Sequence, residues 1–114
     1  MMRKFAAVVV VLGALSFLAA GISWAAENHV KEAIEHDKQA IEHGKAGHAD
    51  VLTKHAETAL KHAQAADKEK SSAHTQEAVK HLEGAVASGK KGDAAGGTEH
   101  AEKALTALEA AAKG

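Results

Sequence analysis

The chain has 114 residues, enough for one domain at most, with 9 His and no Cys, Pro or Tyr. Fourteen Lys and Arg stand against 15 Asp and Glu, a formal charge of −1, and both Phe and the single Trp lie within the first 24 residues. This balance argues against nucleic acid as a partner, which needs basic patches and stacking rings, and a chain without Cys has no disulfide staple.

Met1-Met2-Arg3-Lys4 give a positive start, and Phe5 to Ile22 form an apolar run. Ser23-Trp24-Ala25 then place small residues at −3 and −1, which predicts a cleaved secretory signal peptide over residues 1–25. The alternative is an uncleaved anchor, since 18 residues just suffice to span a bilayer. The cleavage pattern at the right distance from the apolar run favours the signal peptide. After cleavage, residues 26–114 form a single domain with no membrane segment, twelve Lys and fifteen acidic residues.

From residue 28 onward Ala, Glu, Lys, Leu, Ile and His dominate, all compatible with helix. Val30, Ala33, Ile34, Ala40 and Ile41 repeat with helical spacing, as do Leu52, Ala56, Ala59, Leu60 and Ala63. The predicted helices run near 28–44, 48–66, 72–88 and 98–113. Asn28, Ser71 or Ser72, and Thr98 are the expected N-caps. Gly44-Lys45-Ala46-Gly47 breaks the first helical pattern, with Gly44 placed to end the helix. Asp67-Lys68-Glu69-Lys70 contains nothing that forbids helix, so one long rod through residues 67–72 is an alternative. A break there keeps the histidines on a common face and is preferred. Residues 88–97 are glycine-rich and read as a mobile loop.

The sequence is also duplicated. A shift of 45 residues lays His29–Ala63 over His74–Leu108 with 15 identities in 35 positions. Two helical hairpins, 28–66 and 72–113, each with an alanine-rich stripe, bury those stripes best against each other. The expected fold is all-α: an up-down four-helix bundle built from two antiparallel hairpins. Its core is thin, because Val30, Ile34, Ile41, Val51, Leu52, Leu60, Val79, Leu82, Val86, Leu105 and Leu108 are the only large aliphatics after the leader. Bound ligand would therefore add to the stability of a marginal chain.

The histidines fall at 29, 36, 43, 48, 55, 62, 74, 81 and 100, with steps of seven in 29–36–43, 48–55–62 and 74–81. Seven residues are two helical turns, so each set forms a column with ~10.5 Å between members. Aliphatics fall five residues after most histidines, well over a quarter-turn away, so the columns flank the core or face water. A solvated face explains one such histidine but not eight, since Lys or Glu are better helix formers. Neutral imidazole is the commonest metal ligand, and divalent metal ions are the predicted partner.

Members of one column are too far apart to chelate. Glu32, between His29 and His36, and Glu77, between His74 and His81, stand three and four residues from their neighbours and can complete a site within one helix. The hairpin offers a second route. Folding about the first turn pairs residues whose numbers sum to 91: His43 with His48, His36 with His55 and His29 with His62. In the second hairpin only His81–His100 survives, with Ser88 opposite Asp93 and His74 opposite Ala107. The first hairpin is expected to hold most of the metal.

Without Cys or Met in the processed chain there is no soft ligand for copper(I). Imidazole with carboxylate and water suits copper(II) first, with nickel or zinc as alternatives, and calls for no organic cofactor. The chain reads as a monomer, with metal-bridged oligomers left open. Haem would need histidines in an apolar interior. No nucleophile with its base, phosphate cradle or HExxH motif points to an enzyme. The competing reading is a structural or partner-binding helical module whose histidines supply pH-responsive charge.

The string His36-x6-His43-Gly-Lys-Ala-Gly-His48-x6-His55-Ala-Glu-x3-Lys-His62-Ala resembles the bacterial small metal-binding protein family. The resemblance extends from His29 to about Leu108 and implies a periplasmic four-helix bundle that binds several divalent metals, copper preferred. It also implies ligand roles for all nine histidines. The sequence departs from the fuller pattern at Ser88, Asp93 and Ala107, and Gly96-Gly97 replace apolar residues near the expected start of the fourth helix.

Overall fold

The computed structural model describes residues 24–114 and folds them into four helices: α1 (Trp24–Lys45), α2 (Ala49–Glu69), α3 (Ala73–Lys90) and α4 (Ala94–Ala112). Each helix packs mainly on two neighbours, α1 on α2 and α4, α3 on α2 and α4, with a smaller diagonal contact of α2 with α4, giving the up-down four-helix bundle that the duplication predicts. The leader expected over residues 1–25 lies outside the described residues except for Trp24 and Ala25, which start α1. No described helix is long and apolar enough to cross a membrane.

Apart from Thr53 and Ala107, which are buried beside it, the buried positions follow a four-three alternation. They are Ala26, Val30, Ala33, Asp37, Ala40 and Gly44 on α1, and Leu52, Ala56, Ala59, Ala63 and Ala66 on α2. Thr75, Ala78, Leu82, Ala85 and Gly89 continue it on α3, and Gly97, Ala101, Ala104, Leu108 and Ala111 on α4. A seven-residue repeat of this kind produces coiled-coil packing, and a seam of alanine and glycine lets the helices approach closely. The expected aliphatic core needs correction. Of the large aliphatics among the described residues, only Val30, Leu52, Leu82 and Leu108 are fully buried. Ile34, Ile41, Leu60, Val79 and Val86 are half-buried and close the flanks between the hairpins, because they follow the seam by one position.

Both hairpin turns end their helices in the same way. Gly47 and Gly92 take positive φ angles of 85° and 82°. His48 N–H donates to His43 C=O and Gly47 N–H to Gly44 C=O; Asp93 N–H to Ser88 C=O and Gly92 N–H to Gly89 C=O repeat the pair. This is the Schellman arrangement, in which a left-handed residue just past the helix satisfies its last carbonyls. Gly47, not Gly44, therefore terminates α1.

Gly44 is buried inside α1, where a Cβ would meet Thr98 and Leu52. The residues 88–97 are likewise not a loop: α3 continues to Lys90 and α4 begins at Ala94. Gly97 is buried, and a Cβ there would lie 2.9 Å from Leu52 Cδ2. Residue 97 is the repeat counterpart of Leu52 itself, so the second hairpin gives up a side chain where the first supplies a large one.

Ser72 caps α3 as expected, accepting from Thr75 N–H at 3.1 Å while Thr75 Oγ1 accepts from Ser72 N–H at 3.0 Å. Asp67 Oδ1 accepts from Thr75 at 2.7 Å and from Ser71 at 3.0 Å, which fixes the break between α2 and α3. Two other expected caps are corrected. Asn28 lies within α1, whose seam extends back to Ala26. Thr98 lies within α4 and donates to Ala94 C=O, while Asp93 caps that helix by accepting from Gly96 N–H.

The hairpins are related by a pseudo-two-fold axis. Lys45 of α1 meets Glu102 of α4 at 3.7 Å, and their counterparts, Lys90 of α3 and Glu57 of α2, meet at the same 3.7 Å. These exposed pairs add little energy, but they mark equivalent packing of the two repeats.

Candidate metal centre

Each histidine of the columns except His48 sits one position before a buried residue of the seam. In an antiparallel hairpin this flank of one helix faces the same flank of its partner, so α1 and α2 point their columns at each other along one groove. The rings of His29 and His62 are 5.4 Å apart between centroids, those of His36 and His55 5.9 Å, and those of His43 and His48 6.0 Å. These are the three pairs that folding about the turn brings together. Two further contacts run diagonally: His36–His62 at 6.1 Å and His43–His55 at 5.5 Å. Sequence spacing alone does not reveal them, because they depend on the stagger between the two columns.

Nitrogen positions make the groove chemically specific. His29 Nδ1 lies 3.1 Å from His62 Nδ1, within the ~3–4 Å that two nitrogens bound to one ion at ~2.0 Å each require. Glu32, His36 and His62 each bring a ligand atom into a group whose members all lie within 4.8 Å of one another. His36 Nδ1 is buried without a hydrogen-bond partner among the described residues. Glu32 is exposed and the two histidines are half-buried, so an ion there is reached from solvent.

The local electrostatics disfavour protonation of His55 and His62. Burial lowers the pKa of His55, and the neighbouring His43 and His36 lower it further. Burial also lowers that of His62, with His29 and His36 acting the same way against the opposing pull of Glu32. Neutral imidazole is the form that carries a free lone pair, so the crowding that disfavours protons favours a metal.

The second hairpin keeps one such contact, His81–His100 at 6.1 Å. His100 Nδ1 is buried without a partner, and the ring occupies space that a Cβ on Gly84 would need. His74 is exposed and shares a shallow groove with Glu77, His81 and Ala107. Residues Glu77, His81 and Ala107 are the repeat counterparts of Glu32, His36 and His62. Alanine at 107 removes the third ligand, and Glu77 joins no group of three potential ligands among the described residues.

The model of a family described as small metal-binding protein matches residues 2–111. No curated protein matches the chain.

Proposed function

Because the chain belongs to the small metal-binding protein family, we propose that it binds and buffers several divalent transition metal ions in the periplasm, copper(II) foremost, for metal homeostasis. The family is named for metal binding and not for a catalysed reaction. The observation that carries the proposal is the meeting of six imidazoles along the α1–α2 groove, with Glu32 beside His36 and His62. Imidazole and carboxylate ligands without sulfur favour copper(II) over nickel and zinc by the ordinary affinity order. Exposed sites with two histidines bind with modest affinity and release their ions as imidazoles protonate below pH ~6.5. That profile suits uptake and release. The positive start and apolar run before Ser23-Trp24-Ala25 support export.

Isothermal titration with copper(II), nickel(II) and zinc(II) at pH 7.5 tests this reading. More than one ion per chain, with copper(II) held tightest, is the expected result. Less than one ion per chain would favour a helical module with titrating charge. Amino-terminal sequencing of protein from the periplasmic fraction should begin at Ala26.

A further inference from the structure

The six histidines of the first hairpin are not three separate pairs. Followed through space they run His29, His62, His36, His55, His43, His48, and every step lies between 5.4 and 6.1 Å. The steps alternate between two registers. In one, the paired numbers sum to 91 and the rings are tilted by 26–38°. In the other, they sum to 98 and the rings are nearly parallel, at 6° and 7°. His62 takes part in both: its Nδ1 meets His29, while it also shares the ligand group with His36 and Glu32.

A ladder of six rungs has five gaps, and neighbouring gaps share a histidine. A neutral imidazole carries its proton on one nitrogen and offers a lone pair on the other only. One ring therefore serves one gap at a time.

We propose that the first hairpin is a set of overlapping metal sites in two registers: it holds at most three ions, a filled gap blocks both neighbours, and an ion moves along the groove by exchanging one histidine at a time. An ion between His29 and His62 keeps His62 while it replaces His29 by His36, and Glu32 is at hand to complete its shell. No step leaves the ion without a ligand. The second hairpin lacks this freedom, since Ser88 and Ala107 stand where its ladder would continue and only the His81–His100 gap remains. The inference rests on the histidine groove being the metal site.

The test is the number of copper(II) ions held per chain at pH 7.5, measured by equilibrium dialysis on the whole protein and two variants. In H29A/H48A the four remaining rungs re-pair as His62–His36 and His55–His43, so one ion is lost. Fixed pairs would leave only His36–His55, and two would be lost. H36A/H43A keeps the same number of histidines but leaves only His29–His62 joined, so two ions are lost on either account. Alanine is the better helix former at the helical positions, and His48, just before α2, makes no side-chain cap bond, so both variants keep the fold, which circular dichroism verifies. Loss of one ion in the first variant and two in the second supports the two registers. Loss of two in both overturns them and leaves fixed histidine pairs standing. No loss in either overturns the inference together with the histidine groove on which it rests.

Discussion

Asp37 is fully buried, has no hydrogen-bond partner among the described residues, and is pushed by burial up to about 8 from an ordinary 3.8. Its counterpart in the second repeat is Leu82, which fills the same seam position without charge. Above pH ~4 the unfolded chain releases this proton and the folded chain does not, so stability falls as pH rises from about 4 towards 8. Replacing Asp37 with Leu should raise apo-protein stability at pH 8 by roughly 2–5 kcal/mol and abolish that decline, as thermal unfolding across pH will show. His55 and His62 act in the opposite sense. Their lowered pKa values mean that the unfolded chain takes up protons first, so stability falls as pH drops below 6.5. In Asp37→Leu only this acid limb should remain. The duplication carries a signal for Asp37 that helical periodicity lacks, a carboxylate where the other repeat has Leu. Its complete burial was not visible, because nothing local distinguishes it from the exposed acids around it.

Among the elements, the contact of Leu52 with Gly97 decides the course of the second hairpin. Gly97→Leu places a second large side chain where Leu52 already sits and should cost ~1–3 kcal/mol in chemical denaturation. Adding Leu52→Ala should recover part of that loss, although Leu52→Ala alone should cost ~2–5 kcal/mol by leaving a cavity. A coupling near zero between the two substitutions would show that they do not share the space. Ser72→Ala should cost about 1 kcal/mol by removing the α3 cap. The helices, the hairpin order and Ser72 were legible because periodicity and capping chemistry are local. The helical course of residues 94–97 was not, because four glycines between Gly89 and Gly97 read as a loop until their packing partner is known. Gly44 misled for the same reason: its lack of a side chain serves Leu52 and Thr98, while the left-handed turn falls to Gly47.

In the whole molecule, two equivalent hairpins have diverged in what they carry. The pseudo-two-fold axis keeps the Lys45–Glu102 and Lys90–Glu57 pairs alike, yet one groove presents six histidines and the other a single facing pair. The direct histidine pairs were legible because reflection about the turn follows from residue numbers alone. The diagonal ones needed the stagger of two helices. A bundle whose seam is mostly alanine gains from bound ions by linkage, about 2.7 kcal/mol for each site at a free-metal level a hundredfold above its Kd. Its melting temperature should therefore climb with copper(II) and fall back on chelation. The most direct measurement replaces His29, His36, His43, His48, His55 and His62 together with alanine and counts copper(II) ions per chain. The first hairpin as principal metal site predicts that the helical fold persists and about one ion remains, at His81 and His100. Retention of most of the ions would contradict it.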